Sequence, residues 1–285
     1  MSSSDPPFQH IAIVGLGLIG GSIALAVREH WPASRVVGVD GPAVLAHALG
    51  SGAIERGAED IASLSGVDLV ILAAPVRQNV GLLARLSSLA PVVVTDVSGT
   101  KREIVRTARA LPASVSFVGG HPLSGGERGG FAFARGDLFA GRPWIFTPDG
   151  DRGAEGVARL SRFVEGFGAR VTVMDAAEHD RLMAFLSHLP QLTASALMEV
   201  AGRAAGADGL RLAGRGLVDT TRLASSPANV WRDICLTNAD ALGEALDLLI
   251  ERLTRMRADL SRDGAIDSTF DEAARWRAEL LRGRE

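Results

Sequence analysis

The chain is short of cysteine, lysine and net positive charge, and each shortage removes a class of protein. Its 285 residues hold a single cysteine, Cys235, so no intrachain disulfide can form. The formal net charge of −3 argues against nucleic-acid binding, which shows as a basic excess gathered in a patch or run. The longest apolar stretches, such as residues 67–76 (VDLVILAAPV), fall well short of the roughly 20 residues that span a bilayer. Residues 1–10 lack the charged and apolar regions of a signal peptide. A cytoplasmic protein with neither nucleic acid nor membrane as partner is the expectation. Of the 30 lysines and arginines only one, Lys101, is lysine, so its position asks for a reason.

What is present is ample apolar content, 47% of residues, enough for one large domain or two ordinary ones. Runs rich in Val and Ile, bounded by Gly, Pro or Asp, occur at residues 10–14, 35–40, 67–74, 91–96, 115–120 and 143–148. Helical patterns lie between the early ones, at residues 21–30, 42–52 and 77–89. Alternating strands and helices imply a parallel sheet, and nearly unbroken apolar strands imply one covered on both faces. After a last strand-like run at residues 169–175 the pattern turns helical, over 176–206 and 229–260. There Leu242, Leu246, Leu249, Leu253 and Met256 repeat at the spacing that packs helix on helix. The expected fold class is α/β. An N-terminal Rossmann-type, doubly wound, mostly parallel sheet would occupy residues 1–174, and a C-terminal all-helical domain residues 175–285.

Gly15, Gly17 and Gly20 form G-x-G-x-x-G between the first strand and the first helix. Gly15 permits the tight turn, Gly17 lets the backbone approach a pyrophosphate, and Gly20 allows helix and strand to touch. With Leu16, Leu18 and Ile19 they make a dinucleotide cradle at a helix N-terminus. Asp40 stands 20 residues beyond Gly20, where a carboxylate can bind both ribose hydroxyls. Gly41, Pro42 and Ala43 follow it, with no arginine for a 2′-phosphate, so NAD is expected over NADP. Ligands of such sheets bind beyond the carboxyl ends of the strands. Three polar segments lie there: the one containing Ala74 and Pro75, DVSGTK at 96–101, and GGHPLSGGERGG at 119–130. His121, among glycines, reads either as a turn histidine held by a carbonyl or as a general base beside the nicotinamide.

Five segments together carry a resemblance: VGLGLIGGS (14–22), DVSGTK (96–101), GGHPLSGGE (119–127), EHDRLMAFLSHLP (178–190) and DTTRLASSPANVWRDI (219–234). In order and spacing they resemble the prephenate/arogenate dehydrogenase family of tyrosine biosynthesis. The resemblance implies oxidation of the C4 hydroxyl of a cyclohexadienol, hydride transfer to NAD, and loss of the ring carboxylate as CO2. The products would be 4-hydroxyphenylpyruvate from prephenate and tyrosine from arogenate. It implies that His121 accepts a hydrogen bond from the C4 hydroxyl and assists its deprotonation. It gives Arg222 the substrate side-chain carboxylate, which a guanidinium can grip with two parallel bonds. Glu127 and Asp219 match acidic positions near that arginine, and a homodimer through the helical domain is implied as well.

The chain departs from the family at two places. Gly99 stands where the family has the serine that helps bind the C4 hydroxyl, so Ser98 or Ser124 is left to substitute. Gln191 replaces a histidine near the substrate side chain, and suits either the keto group of prephenate or the ammonium of arogenate. His188 is expected to line or support the pocket. His179, nine residues earlier and so on roughly the opposite helical face, reads as structural, and no metal site is expected. Lys101 opens the helix after the fourth apolar run, and it is placed with His121 and Ser98 in the catalytic group. Its expected roles are support of the strand-end loop or attraction of an acidic substrate, at a position too tight for arginine. Three rivals remain. A β-hydroxyacid dehydrogenase would need a lysine in the helical half, which is absent. A dehydrogenase for a 4-amino analogue of prephenate is left open by Gly99. A non-catalytic NAD-binding regulator is disfavoured by the presence of both His121 and Arg222.

Overall fold

Alternate residues of residues 10–14 face opposite sides of a sheet, and each side meets its own layer of helices. A computed structural model describes residues 5–89, 91–126 and 128–282. Its strands are β1 (His10–Val14), β2 (Arg35–Val39), β3 (Arg56–Ala58), β4 (Leu69–Leu72), β5 (Val92–Asp96), β6 (Val115–Pro122), β7 (Pro143–Pro148) and β8 (Arg170–Val173). The helices that cover the sheet are α1 (Leu18–His30), α2 (Pro42–Gly50), α3 (Val76–Leu82), α4 (Arg102–Ala108) and α5 (Ala154–Glu165). Ile11 and Ile13 share a core with Ile23 and Val27 of α1 and with Leu160 and Phe163 of α5. Ala12 and Val14 share the opposite one with Ile104 and Val105 of α4. β4 and β5 are buried along their whole length. Each such Val, Leu or Ile contributes about 1.5–3 kcal/mol by leaving water, so the strands that carry the site are the most firmly held.

The strand order is β3-β2-β1-β4-β5-β6-β7-β8. The first six are parallel, β7 runs antiparallel to β6, and β8 runs parallel to β7. The chain reverses its direction of travel across the sheet between β1 and β4, which opens a crevice at their carboxyl ends. Two details differ from the sequence reading. The three-residue edge strand β3 is too short to show a period. β6 also runs on through His121, which pairs with Ile145, so that histidine sits on a strand rather than in a loop.

The helical part comprises α6 (Ala176–Met183), α7 (Leu189–Leu210), α8 (Arg215–Thr220), α9 (Ala228–Thr237), α10 (Ala239–Asp259) and α11 (Asp267–Arg282). Residues 184–188 join α6 to α7 as a single π-helical turn. Compact packing divides the chain between Ala239 and Asp240. The first unit reaches Ala239 because Asp180 and Asn238 bind the start of α4, as described below. The second unit holds most of α10 and all of α11, with Leu248, Leu253, Phe270 and Trp276 exposed. Among the described residues no helix is long and apolar enough to cross a membrane.

Candidate active site

The turn after β1 is built for a dinucleotide. Gly15 has φ +92°, and a Cβ there would lie 2.8 Å from the backbone of Ala73 and Ala74. A Cβ on Gly20 would overlap the Gly15 carbonyl oxygen, whereas one on Gly17 would meet nothing within 4 Å. The turn is therefore closed toward the sheet and open toward a ligand at Gly17. The first turn of α1 carries no acidic side chain, which leaves its amides and positive dipole end for an anion. Asp40 Oδ2 accepts from the Leu16 amide at 2.7 Å and Oδ1 from the Gly41 amide at 2.6 Å. Each oxygen keeps a lone pair for a ribose hydroxyl. These residues fit NAD: Gly17, Leu18 and Ile19 would take its pyrophosphate, Asp40 its ribose, and Ala74 and Pro75 would border its nicotinamide half. Leu16 is a correction, since its side chain is wholly in the core and its amide belongs to Asp40.

Lys101 now has its reason. It is fully buried, and its Nζ donates to Asp96 Oδ2 and, at 2.7 Å, to the Gly120 carbonyl oxygen. Asp96, also fully buried, accepts from the amides of Ser98 at 2.9 Å and Gly120 at 3.1 Å. Both backbone groups of Gly120 are thus held, which fixes the residue preceding His121. A Cβ on Gly119 would come within 3.3 Å of Lys101 Cδ, so the stem is closely packed, and a bulkier planar guanidinium would have to fit at its fully buried end. Burial drives the lysine pKa down against the pull of Asp96. The ammonium is spent inside the strand ends, so Lys101 positions the site and does not face substrate, contrary to its placement in the catalytic group.

His121 Nδ1 lies 2.8 Å from His179 Nε2, and His179 Nδ1 lies 2.8 Å from Asp180 Oδ1. His179 is fully buried, so the structural reading of that residue misses half of a histidine pair. It also misjudges the faces. The π-turn at 184–188 winds less per residue than an α-helix, and both His179 and His188 reach the polar cluster around Asp180. Asn238 supplies the link, donating to the Asp180 carbonyl at 2.8 Å and lying 3.3 Å from His188 Nδ1. Burial, then the neighbouring His179, Lys101 and His188, push the His121 pKa well below its ordinary 6.5. Burial pushes His188 down to about 4 and also lowers His179, against the opposing effect of the hydrogen bond it makes to Asp180. At neutral pH the imidazoles are uncharged, the state a proton acceptor requires.

Of the two serines, Ser98 is 7% exposed and its Oγ accepts from Asn79 Nδ2 at 3.1 Å. Ser124 Oγ is buried without a hydrogen-bond partner, so Ser124 keeps its capacity for a ligand. At Gly99 a Cβ would lie 4.0 Å from His121 Nε2 and 3.5 Å from Ile234, in ordinary van der Waals contact with both, so Gly99 borders the Nε2 side of the imidazole. Arg222, Leu223, Ser225 and Ser226 border a cavity of about 330 Å³ with Gly125 and Gly126, four and five residues after His121. The same two glycines border a second cavity of about 300 Å³ that reaches Leu18 at the start of α1. A cavity of about 340 Å³ beside Asp68 and Arg159 lies at the amino ends of the strands, the wrong end for a ligand of this sheet. Gln191 does not face a substrate side chain: it is 4% exposed, donates to the Leu223 carbonyl at 2.7 Å and accepts from Ser226 Oγ at 3.0 Å. It holds the turn that carries Arg222. Asp219 is exposed on α8, and Glu127 lies outside the described residues. Among the described residues no group of three His, Cys, Asp or Glu could hold a metal ion.

Strand order, glycine turn and strand-end histidine define an NAD-dependent dehydrogenase of the Rossmann type with a helical extension. Comparison with known proteins narrows this. Residues 23–173 match the nucleotide-binding domain of prephenate dehydrogenase, and residues 175–272 match its dimerization domain. The chain belongs to the prephenate dehydrogenase family. It is 34% identical over 263 residues to prephenate dehydrogenase of Bacillus subtilis, covering 90% of this chain and 71% of that one. It is 34% identical over 273 residues to cyclohexadienyl dehydrogenase of Zymomonas mobilis, covering 90% of each. The solved structure of Aquifex aeolicus prephenate dehydrogenase with hydroxyphenyl propionate and NAD+ superposes with a TM-score of 0.89. It is 28% identical and covers 95% of this chain and 98% of that one.

Proposed function

We propose that the chain carries out the NAD-dependent oxidative decarboxylation of prephenate, arogenate or both in the cytoplasm, as a step of tyrosine biosynthesis. The observation that carries the reading is the pair of cavities on either side of Gly125 and Gly126, one reaching the start of α1 and the other Arg222. When bound, NAD+ accepts a hydride. The chain's own residues do the rest. His121 Nε2, beside Gly99, takes the proton of the C4 hydroxyl. Ser124 Oγ offers that hydroxyl a hydrogen bond. Arg222 binds the side-chain carboxylate and so turns C4 toward the cofactor. Residues 1–174 would bind the cofactor, and residues 175–285 would complete the substrate pocket and form a homodimer. The exposed apolar side chains of α10 and α11 and the match to a dimerization domain support the dimer.

The test is NADH formation with prephenate and arogenate side by side, each with NAD and NADP. Turnover of at least one with NAD, and little with NADP, is expected. Arg222→Ala should raise KM for the active substrate roughly 10- to 100-fold, the worth of a charge-assisted hydrogen bond. Absence of turnover with both would reject the reading. Glycine at position 99, where the family has serine, leaves a different group at C4 open, so a 4-amino analogue belongs in the same assay.

A further inference from the structure

We propose that His179 and Asp180 are positioning residues that hold His121 in the one tautomer able to act as a base, and that they share the proton it takes. The proposal rests on the assignment of His121 as that base.

Asp180 fixes the direction of the whole chain of hydrogen bonds. Its Oδ1 accepts from the Lys101 amide at 2.7 Å, and its Oδ2 accepts from the Arg102 amide at 2.9 Å and from Arg102 Nε at 3.3 Å. Burial works to raise its pKa, but the bonds from His179, Arg102 and Lys101 outweigh it, and the carboxyl lies below its ordinary value. It is therefore a carboxylate and only accepts. His179 Nδ1, 2.8 Å away, must carry a hydrogen and donate it. A neutral imidazole has one N–H, so His179 Nε2 is bare and accepts. His121 Nδ1, 2.8 Å from it, must then be the donor, and His121 Nε2 is left with its lone pair free on the side of Gly99. The opposite tautomers would set bare His179 Nδ1 against an anionic oxygen at hydrogen-bond distance, two acceptors with no proton between them.

The same arrangement serves the reacting state. When the C4 hydroxyl gives its proton to Nε2, the O–H bond breaks, an N–H bond forms, and His121 carries the positive charge. Its Nδ1–H already points at His179 Nε2, so the charge is shared along the pair toward Asp180. The other charged or titratable groups around the pair are Lys101, Asp96, His188 and Arg102. Lys101 and His188 disfavour the extra proton, and Asp96 acts on His179 in the opposite sense. Asp180 also accepts from the first amides of α4, so the group that sets the tautomer is fixed to the segment that follows Gly99.

Nitrogen-15 NMR of the histidine side chains in the full-length protein at neutral pH reads the tautomer without any turnover, with His121→Asn and His179→Gln giving the assignments. The expected spectrum has His121 protonated at Nδ1 and bare at Nε2. In Asp180→Asn the His121 proton should shift toward Nε2, and kcat should fall roughly 10²- to 10⁴-fold, as for other bases held in the wrong tautomer, with KM little changed. A wild-type His121 protonated at Nε2 overturns the proposal, even if the variants fail to fold. So does an Asp180→Asn protein that keeps its kcat, or one that loses kcat with the His121 tautomer unchanged. If the wild type oxidises none of the substrates, the assignment of the base fails and the tautomer result still stands by itself.

Discussion

His121→Asn is expected to lower kcat by roughly 10²- to 10⁴-fold, the usual contribution of a general base, and to leave KM for NAD unchanged. Nothing in the cradle for the cofactor depends on the imidazole: Gly15, Gly17, Gly20 and Asp40 are held by β1, β2 and α1, on strands across the sheet from β6. The loss should appear in kcat because the proton leaves the hydroxyl as the hydride departs, so the interaction strengthens only in the transition state. Asparagine can still donate to His179 Nε2, so the fold should survive. Steady-state kinetics of the two proteins with prephenate and with arogenate measure the effect.

Lys101→Met should lower stability by roughly 3–5 kcal/mol, the cost of leaving one partner of a buried ion pair alone. Asp96 would keep two backbone donors, from Ser98 and Gly120, but lose its only countercharge in direct contact among the described residues. The Gly120 carbonyl would lose its side-chain donor at the same time. Lys101→Arg keeps the charge and tests the fit of the slot. It should cost less, about 1–3 kcal/mol, as an overpacked core does. It should also lower kcat, because Gly120 moves and carries His121 with it. Denaturant unfolding of the three proteins checks the order wild type, arginine, methionine. A methionine variant as stable as wild type would show that the pair is not held as a buried ion pair.

Much of the fold is legible in the chain because burial writes itself into the pattern. β1, β4 and β5 are covered on both faces and so are almost wholly apolar, and the glycines of the cradle are dictated by backbone contacts that no side chain can share. The site is less legible for two reasons. Its supporting residues act through partners distant in the chain: Lys101 meets Gly120, and Asp180 meets Lys101 and Arg102, across separations no local pattern records. The π-turn at 184–188 also breaks the regular winding that a spacing argument assumes, which is why His179 and His188 read as facing apart. One signal was available: Asp180 follows His179 directly, and an adjacent carboxylate is what a buried histidine needs to hold its tautomer. Gln191 misleads for a related reason, since its chemistry suits a ligand but is consumed by Leu223 and Ser226.

The three clustered imidazoles also set the acid behaviour. His121, His179 and His188 all have folded pKa values below the ordinary one. The unfolded chain therefore takes up protons first as the pH falls through about 6.5, and stability declines from there downward. Activity at low pH must accordingly be read alongside a measure of folding.

The pH dependence of kcat/KM, taken with wild type and His121→Asn over the range in which both stay folded, tests the central claim that neutral His121 accepts the substrate proton. The account predicts a plateau through neutrality for the wild type. It then predicts a fall of one-proton slope centred below pH 6.5, where burial and its neighbours have placed the His121 pKa, and no such fall in the variant. A wild-type fall centred at or above 6.5, or the same fall in His121→Asn, would contradict it.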